Sequence, residues 1–213
     1  MKVEVFPLVL FGVNLYVVYD PVEKEAAIID PGIIDGREFD RIDEFLRAHD
    51  LKLVAVINTH LHIDHAIANS ALAEKYGVPV MAHADDAFLG DNLIDQARKF
   101  NLPFKVKDAA VSHHLFDGEK IRIGSGELEV IHLPGHSPGG IGLYDPEDHF
   151  LISGDTLFNG SVGRTDLPGG NMARLIESIR KRLLTLPDDT VVYPGHGPAS
   201  TIGKEKLINP FLS

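Results

Sequence analysis

Thr59-His60-Leu61-His62-Ile63-Asp64-His65 follows the apolar run Leu53–Ile57. The run is β-branched, short and unbroken, which is the pattern of a strand buried on both faces. Four potential metal ligands then fall between residues 60 and 65. In an extended turn, His60 and His62 share one side through their period-two spacing, while Asp64 and His65 sit where the next helix starts and face a neighbouring position. That local geometry suits two adjacent metals.

Three further candidates occupy equivalent places. His136 follows the strand ending at Leu133, Asp155 the strand ending at Ser153, and His196 the strand ending at Tyr193, each directly after a glycine. A glycine there permits a sharp turn or a close backbone approach that aims the next side chain inward. Ligands converging from the same ends of several strands are where open α/β sheets place their sites. A lone His or Asp in a loop is usually solvated or capping; the cluster of ligands together with three glycine-preceded ones favours a metal site.

The remaining elements repeat one plan. Strands are expected at Val3–Val9, Leu15–Tyr19 and Ala26–Ile29, a helix through Phe39, Ile42, Phe45 and Leu46, then the strand Leu53–Ile57. A helix from His65 to Tyr76, a strand Val78–Ala82 and a helix over Asp85–Phe100 follow. Asn101–Phe116 carries Pro103 and has no clean period, so it reads as a long loop. The second half gives strands near Lys120–Ile123, Leu128–Leu133, Gly140–Tyr144 and Phe150–Ser153, a helix from Ala173 to about Leu184, and a strand Thr190–Tyr193. This order suggests two α/β halves whose sheets pack face to face with helices outside, and no linker divides residues 1–213 into separate domains.

Composition narrows the chemistry. Acidic residues outnumber basic ones 31 to 20, giving a formal charge of −11, which argues against a nucleic-acid partner. There is no cysteine, so any metal must sit on histidine and carboxylate. No apolar run is long enough to span a membrane, and without an export signal the expected compartment is the cytoplasm.

On the signature His60-Leu61-His62-Ile63-Asp64-His65 and the later His136, Asp155 and His196, the chain resembles the metallo-β-lactamase superfamily over nearly its whole length. The resemblance implies an αββα sandwich, with His60, His62 and His136 on one metal, Asp64, His65 and His196 on the other, and Asp155 bridging them. Within the superfamily, Gly154-Asp155-Thr156-Leu157-Phe158, the Gly163-Arg164 step and the tail Ser200–Leu212 resemble the glyoxalase II branch, in particular its shorter bacterial members. Arg164 falls where that branch carries a basic residue for glutathione. Asp166 stands where it carries a substrate-binding tyrosine, and there is no room between His196 and Ser200 for the branch's helical insertion.

The expected chemistry is hydrolysis by a hydroxide generated between two divalent cations, with Asp64 orienting the nucleophile or taking its proton. A thiolate, with a pKa near ~8.5, departs unprotonated whereas an amine does not, so a small thioester is the expected substrate. Zinc is the default metal, and iron or manganese suit the same donors. The rival on the same fold is the mononuclear iron persulfide dioxygenase, which the chain resembles through Gly163-Arg164-Thr165-Asp166. β-Lactam hydrolysis fits less well, because the zinc β-lactamases lack the bridging carboxylate, and RNA processing is disfavoured by charge. Tyr144 is a further candidate for lining the pocket. Asp30 is either a turn residue or a carboxylate behind a ligand imidazole. His83 reads as a structural or helix-starting residue, and His49, His113, His114, His132 and His149 as solvated or locally bonded.

Overall fold

The computed structural model describes residues 1–102 and 106–212. Its first half begins with β1 (Lys2–Pro7), β2 (Asn14–Tyr19) and β3 (Glu25–Ile29), an antiparallel meander. Helix α1 (Gly36–Ala48) then crosses over to β4 (Lys52–Ile57), parallel to β3. After α2 (Ile63–Ala66) and α3 (Asn69–Tyr76) the chain adds β5 (Val80–His83), and after α4 (Ala87–Gly90) and α5 (Leu93–Lys99) it adds β6 (His113–Leu115), both parallel. The sheet order is β1-β2-β3-β4-β5-β6.

The second half repeats the scheme. An antiparallel meander of β7 (Lys120–Ile123), β8 (Gly126–His132), β9 (Ile141–Asp145) and β10 (Phe150–Gly154) is followed by the hairpin β11 (Leu157–Phe158) and β12 (Ser161–Val162). Helix α6 (Met172–Ser178) leads to β13 (Val191–Pro194), parallel to β10, and the edge strand β14 (Ser200–Thr201) runs into α7 (Ile202–Ile208). The order is β14-β13-β10-β9-β8-β7.

Strand β2 shows what holds the layers together. All six of its residues are buried, and because a strand sends successive side chains to opposite faces, the run must be covered on both sides. Leu15, Val17 and Tyr19 pack outward against Ile42, Phe45 and Leu46 of α1. Tyr16 and Val18 pack inward with Ile29 and Ile57 against Ile121, Leu128, Val130, Leu143 and Ile152 of the second sheet. In β4 the pairing with β3 slips at Val54, so Leu53 and Val56 keep the outer face and Ala55 and Ile57 the inner one. The second sheet's outer face is covered by Leu175, Ile179 and Leu183. The result is the αββα sandwich that the sequence resemblance implies. Each fully buried Leu, Ile or Val contributes roughly 1.5–3 kcal/mol.

Three helix assignments from sequence change. Residues 85–100 do not form one helix: a 3₁₀ turn Ala84–Asp86 precedes α4, and Gly90 ends α4 before α5 begins at Leu93. Gly90 lies so close to Leu61 that a Cβ would come within 2.8 Å of the leucine side chain, and its carbonyl accepts Ala109 N–H at 3.0 Å rather than a donor of a continuing helix. The expected helix His65–Tyr76 divides into α2 and α3 where Ala68 N–H bonds Pro31 C=O at 3.1 Å. The α6 helix continues as a π-turn over Ile179–Leu183. Within the expected loop 101–116, His113–Leu115 form β6, while Pro103 lies outside the described residues. Among the described residues no helix is long and apolar enough to cross a membrane.

Candidate metal centre

Four strands deliver the candidate ligands from their C-terminal ends. β4 leads into His60, His62, Asp64 and His65; β8 into His136; β10 into Asp155; and β13 into His196. Two glycines make the convergence possible. A Cβ on Gly195 would meet Asp155 Oδ1 at 2.1 Å, and one on Gly154, whose φ is +50°, would meet the Thr59 side chain at 2.4 Å. Any side chain at either position would push these loops apart.

His60, His62 and His136 present donor atoms within 4.8 Å of one another, and so do Asp64, His65 and His196. His62 Nδ1 lies 2.8 Å from His136 Nε2. On the other side His196 Nε2 is 3.3 Å from Asp64 Oδ2, and His65 Nε2 is 3.8 Å from the same oxygen. Asp155 stands between the groups, with Oδ1 3.5 Å from His65 Nε2 and Oδ2 3.7 Å from His136 Nε2 and 3.5 Å from His196 Nε2.

The tautomers of two imidazoles follow from their partners. Thr59 Oγ1 donates to Asp30 Oδ2 at 2.6 Å, leaving its lone pair for the Nδ1–H of His60 at 3.2 Å. His136 Nδ1–H donates to the Arg164 carbonyl at 2.7 Å. In both rings Nε2 is then the unprotonated nitrogen, the form a metal requires. Burial, reinforced by the neighbouring His65 and His136, pushes His60 well below the usual imidazole range, and burial with His136 lowers His62 to about 3.

The second group is held by charge. Burial opposes ionisation of Asp64, but His65 and His196 outweigh it and lower the carboxyl far below its ordinary value. Burial likewise opposes a charge on His65, yet Asp64, Asp30 and Asp155 raise it to about 10. For His196, burial is outweighed by Asp64 and Asp155 and the shift is upward. The fit to cations is tested by atoms that folding leaves unpaired: His60 Nε2, His65 Nε2 and Asp155 Oδ1 are buried without a hydrogen-bond partner. An unpaired buried polar atom costs about 1–3 kcal/mol, so three facing one another are a donor set suited to a divalent ion and poorly explained otherwise.

Residues with weak or no sequence signal support these ligands. Asp30 proves to be the carboxylate behind the imidazoles: it accepts from Thr59 N at 2.7 Å and lies 3.0 Å from His65 Nδ1. Asp86 accepts from Leu61 N, Ser137 Oγ and Gly139 N, tying the His60–His62 turn to the His136 loop. Asn14 reaches from β2 to the Pro194 and Gly197 carbonyls around His196. Asn58 donates to His65 C=O at 2.8 Å. None of these follows a motif; Asp86 sits in what reads from sequence as a plain helix start.

Beside the ligands opens a cavity of about 910 Å³ that reaches His62, Asp64, His136, Asp155 and His196. Arg164 lines it, with its guanidinium bonded to both oxygens of Asp166 at 2.6 Å. Tyr144 does not join this wall; it is buried in β9 among Leu133, Leu151 and Val192. His83 starts the 3₁₀ turn by accepting from Asp85 N at 3.2 Å. Its ring stacks on His132 with 9° between planes, and His83, Asp85 and His132 form a separate group of donor atoms within 4.8 Å of one another.

A family model described as the metallo-beta-lactamase superfamily matches residues 8–196. The chain is 41% identical over 216 residues to hydroxyacylglutathione hydrolase GloC of Haemophilus influenzae, covering all of this chain and 99% of that one. Among solved structures, BLEG-1 B3 metallo-beta-lactamase superposes with a TM-score of 0.89 at 36% identity, covering both chains fully. TTHA1623 in a di-iron-bound form gives 0.86 at 37%, covering 98% of this chain and 100% of that one. ETHE1 from Myxococcus xanthus gives 0.80 at 28%, covering 99% and 84%.

Proposed function

The chain belongs to the metallo-beta-lactamase superfamily, and from that premise we propose that it is a dinuclear metal-dependent hydrolase acting on hydroxyacyl thioesters of the glyoxalase II type. The observation that carries the reading is the position of Asp155, with one oxygen facing His65 and the other facing His136 and His196. A carboxylate between the two donor groups would be shared by two cations, one held by His60, His62 and His136 and the other by Asp64, His65 and His196. Bound divalent cations supply Lewis-acid polarisation of a carbonyl and a nucleophile from water at neutral pH.

The chain's own residues do the rest. Asp64, at the cavity wall beside His196, would orient the attacking group or take its proton. The apolar walls around the ligands limit bulk water and strengthen the local electrostatics. Arg164 lines the same wall with its guanidinium paired to Asp166, and would exchange that partner to meet an anionic part of the substrate. Imidazoles and carboxylates alone offer no dedicated acid for an amine leaving group, and a thiolate needs none. The name of the Haemophilus influenzae relative, identical at 41%, points the same way.

The test is turnover of S-lactoylglutathione against other thioesters and a β-lactam by zinc-, iron- and manganese-loaded protein. Cleavage of a thioester supports the reading; cleavage of the β-lactam alone contradicts it. The second reading, a mononuclear iron persulfide dioxygenase, is favoured by the likeness to ETHE1 from Myxococcus xanthus and by Gly163-Arg164-Thr165-Asp166. Oxygen uptake with a thiol persulfide distinguishes it. The localisation that suits a thioesterase of this kind is the cytoplasm.

A further inference from the structure

The cavity holds more than the ligands require, and its outer part is aromatic. Phe11, Phe88 and Phe100 line it and are 52%, 44% and 45% exposed. A soluble chain gains nothing in stability from leaving three large rings half in water at one opening, and contiguous apolar exposure of this kind marks a binding surface. Phe11 belongs to the loop between β1 and β2, and Phe100 caps the C-terminal end of α5. Their rings meet edge to face with centroids 5.4 Å apart.

Phe11 also sits in an unusual backbone conformation. Its φ is 51°, in the left-handed region, and Gly12 follows at 70°. For a bulky residue this region is sterically disfavoured, and glycine or asparagine would adopt it more easily. Its ring nonetheless meets one from a distant helix, and strained non-glycine positions cluster at sites that hold ligands. Lys99, beside Phe100, lines the same cavity.

We propose that Phe11 and Phe100 form a specificity clamp for a bulky apolar group flanking the scissile thioester, so that the preferred substrate is larger and more hydrophobic than a lactoyl thioester of a polar thiol. This rests on the thioesterase reading above. The apolar group can belong to the acyl half or the thiol half, since both flank the same bond.

Two series separate those sources on zinc-loaded full-length protein. One compares S-acetyl-, S-lactoyl- and S-hexanoylglutathione; the other compares lactoyl thioesters of N-acetylcysteamine and of hexanethiol. With about three- to four-fold per buried methylene, the longer member of one series should show kcat/KM at least about ten-fold higher. Phe11→Ala and Phe100→Ala should each cut that preference about five-fold, and Phe11→Leu, which keeps apolar volume, should retain most of it. In parallel, calorimetry on the same proteins compares S-hexylglutathione with S-methylglutathione, which cannot be hydrolysed.

If thioesters are cleaved without an apolar preference in either series, or with a preference that Phe11→Ala and Phe100→Ala leave intact, the clamp is overturned while the thioesterase stands. If no thioester is cleaved but S-hexylglutathione binds at least about ten-fold tighter in a Phe11- and Phe100-dependent way, the clamp stands and the thioesterase reading fails.

Discussion

Asp30 Oδ2 lies 3.0 Å from Nδ1 of His65 and simultaneously accepts the Thr59 hydroxyl at 2.6 Å. One carboxylate therefore orients a ligand of each candidate metal, His65 directly and His60 through Thr59. Asp30 is fully buried with φ 54°, so the turn that places it is itself under backbone constraint. Partners of this kind fix ring orientation and basicity, and their loss weakens metal binding by about 10- to 100-fold.

Asp30→Asn should accordingly lower the affinity for zinc by about ten-fold or more. Competition with a chromogenic chelator measures it. An affinity within two-fold of the parent would show that His65 and His60 are held without Asp30.

Removing metal should destabilise the fold, because the seven donors come from four separated loops and imidazoles and carboxylates are packed together. Ion at a hundred times its Kd adds about 2.7 kcal/mol, which is roughly 5–10 °C in Tm for a chain of this size. Thermal melts with and without chelator report the difference. Superimposable melts would mean that the donors do not share an ion.

Asp86→Ala leaves Leu61 N, Gly139 N and Ser137 Oγ without their acceptor in a buried setting. The expected loss is about 3 kcal/mol of folding stability, read as a lower urea midpoint, together with weaker metal binding at the His60, His62 and His136 group. Burial raises the Asp86 carboxyl above its usual range, so Asp86→Asn should be the milder change. Equal stability of the alanine variant and the parent would remove Asp86 as a strut.

Asp20 accepts from Ser125 Oγ and from the backbone N–H groups of Ser125, Val22 and Glu23. These bonds, led by the Ser125 hydroxyl, hold its carboxyl far below the ordinary value. The folded-state pKa is thus below the unfolded one, so the contribution is complete above the unfolded pKa of about 3.9 and is lost as pH falls towards the folded pKa. Asp20→Asn should flatten the acid limb of the stability profile, measured by urea unfolding between pH 7 and 3. An unchanged slope would contradict this.

Much of this architecture was legible in the residues. The run Leu53–Ile57 has the composition of a two-face-buried strand, and His60 to His65 follow it in a spacing few structural needs produce. His136, Asp155 and His196 are marked by their preceding glycines, and the close approach of Gly195 to Asp155 gives the reason. What escaped depends on distant contacts. At the Gly90 break the carbonyl is taken by the distant Ala109 N–H, β6 is a strand only because β5 offers an open edge, and Asp86 matters only once the His136 loop folds back onto it. Tyr144, at a strand end, could have pointed either way; its ring packs with Leu133 and Leu151 under the outer helix layer.

If Asp155 joins two metal sites, the number of ions bound per chain depends on it. Mass-spectrometric metal analysis of purified protein saturated with zinc and then desalted should give two ions per chain, falling to one or fewer in Asp155→Ala with the fold retained by circular dichroism. A single ion in the parent chain, unaffected by the loss of Asp155, would contradict the account.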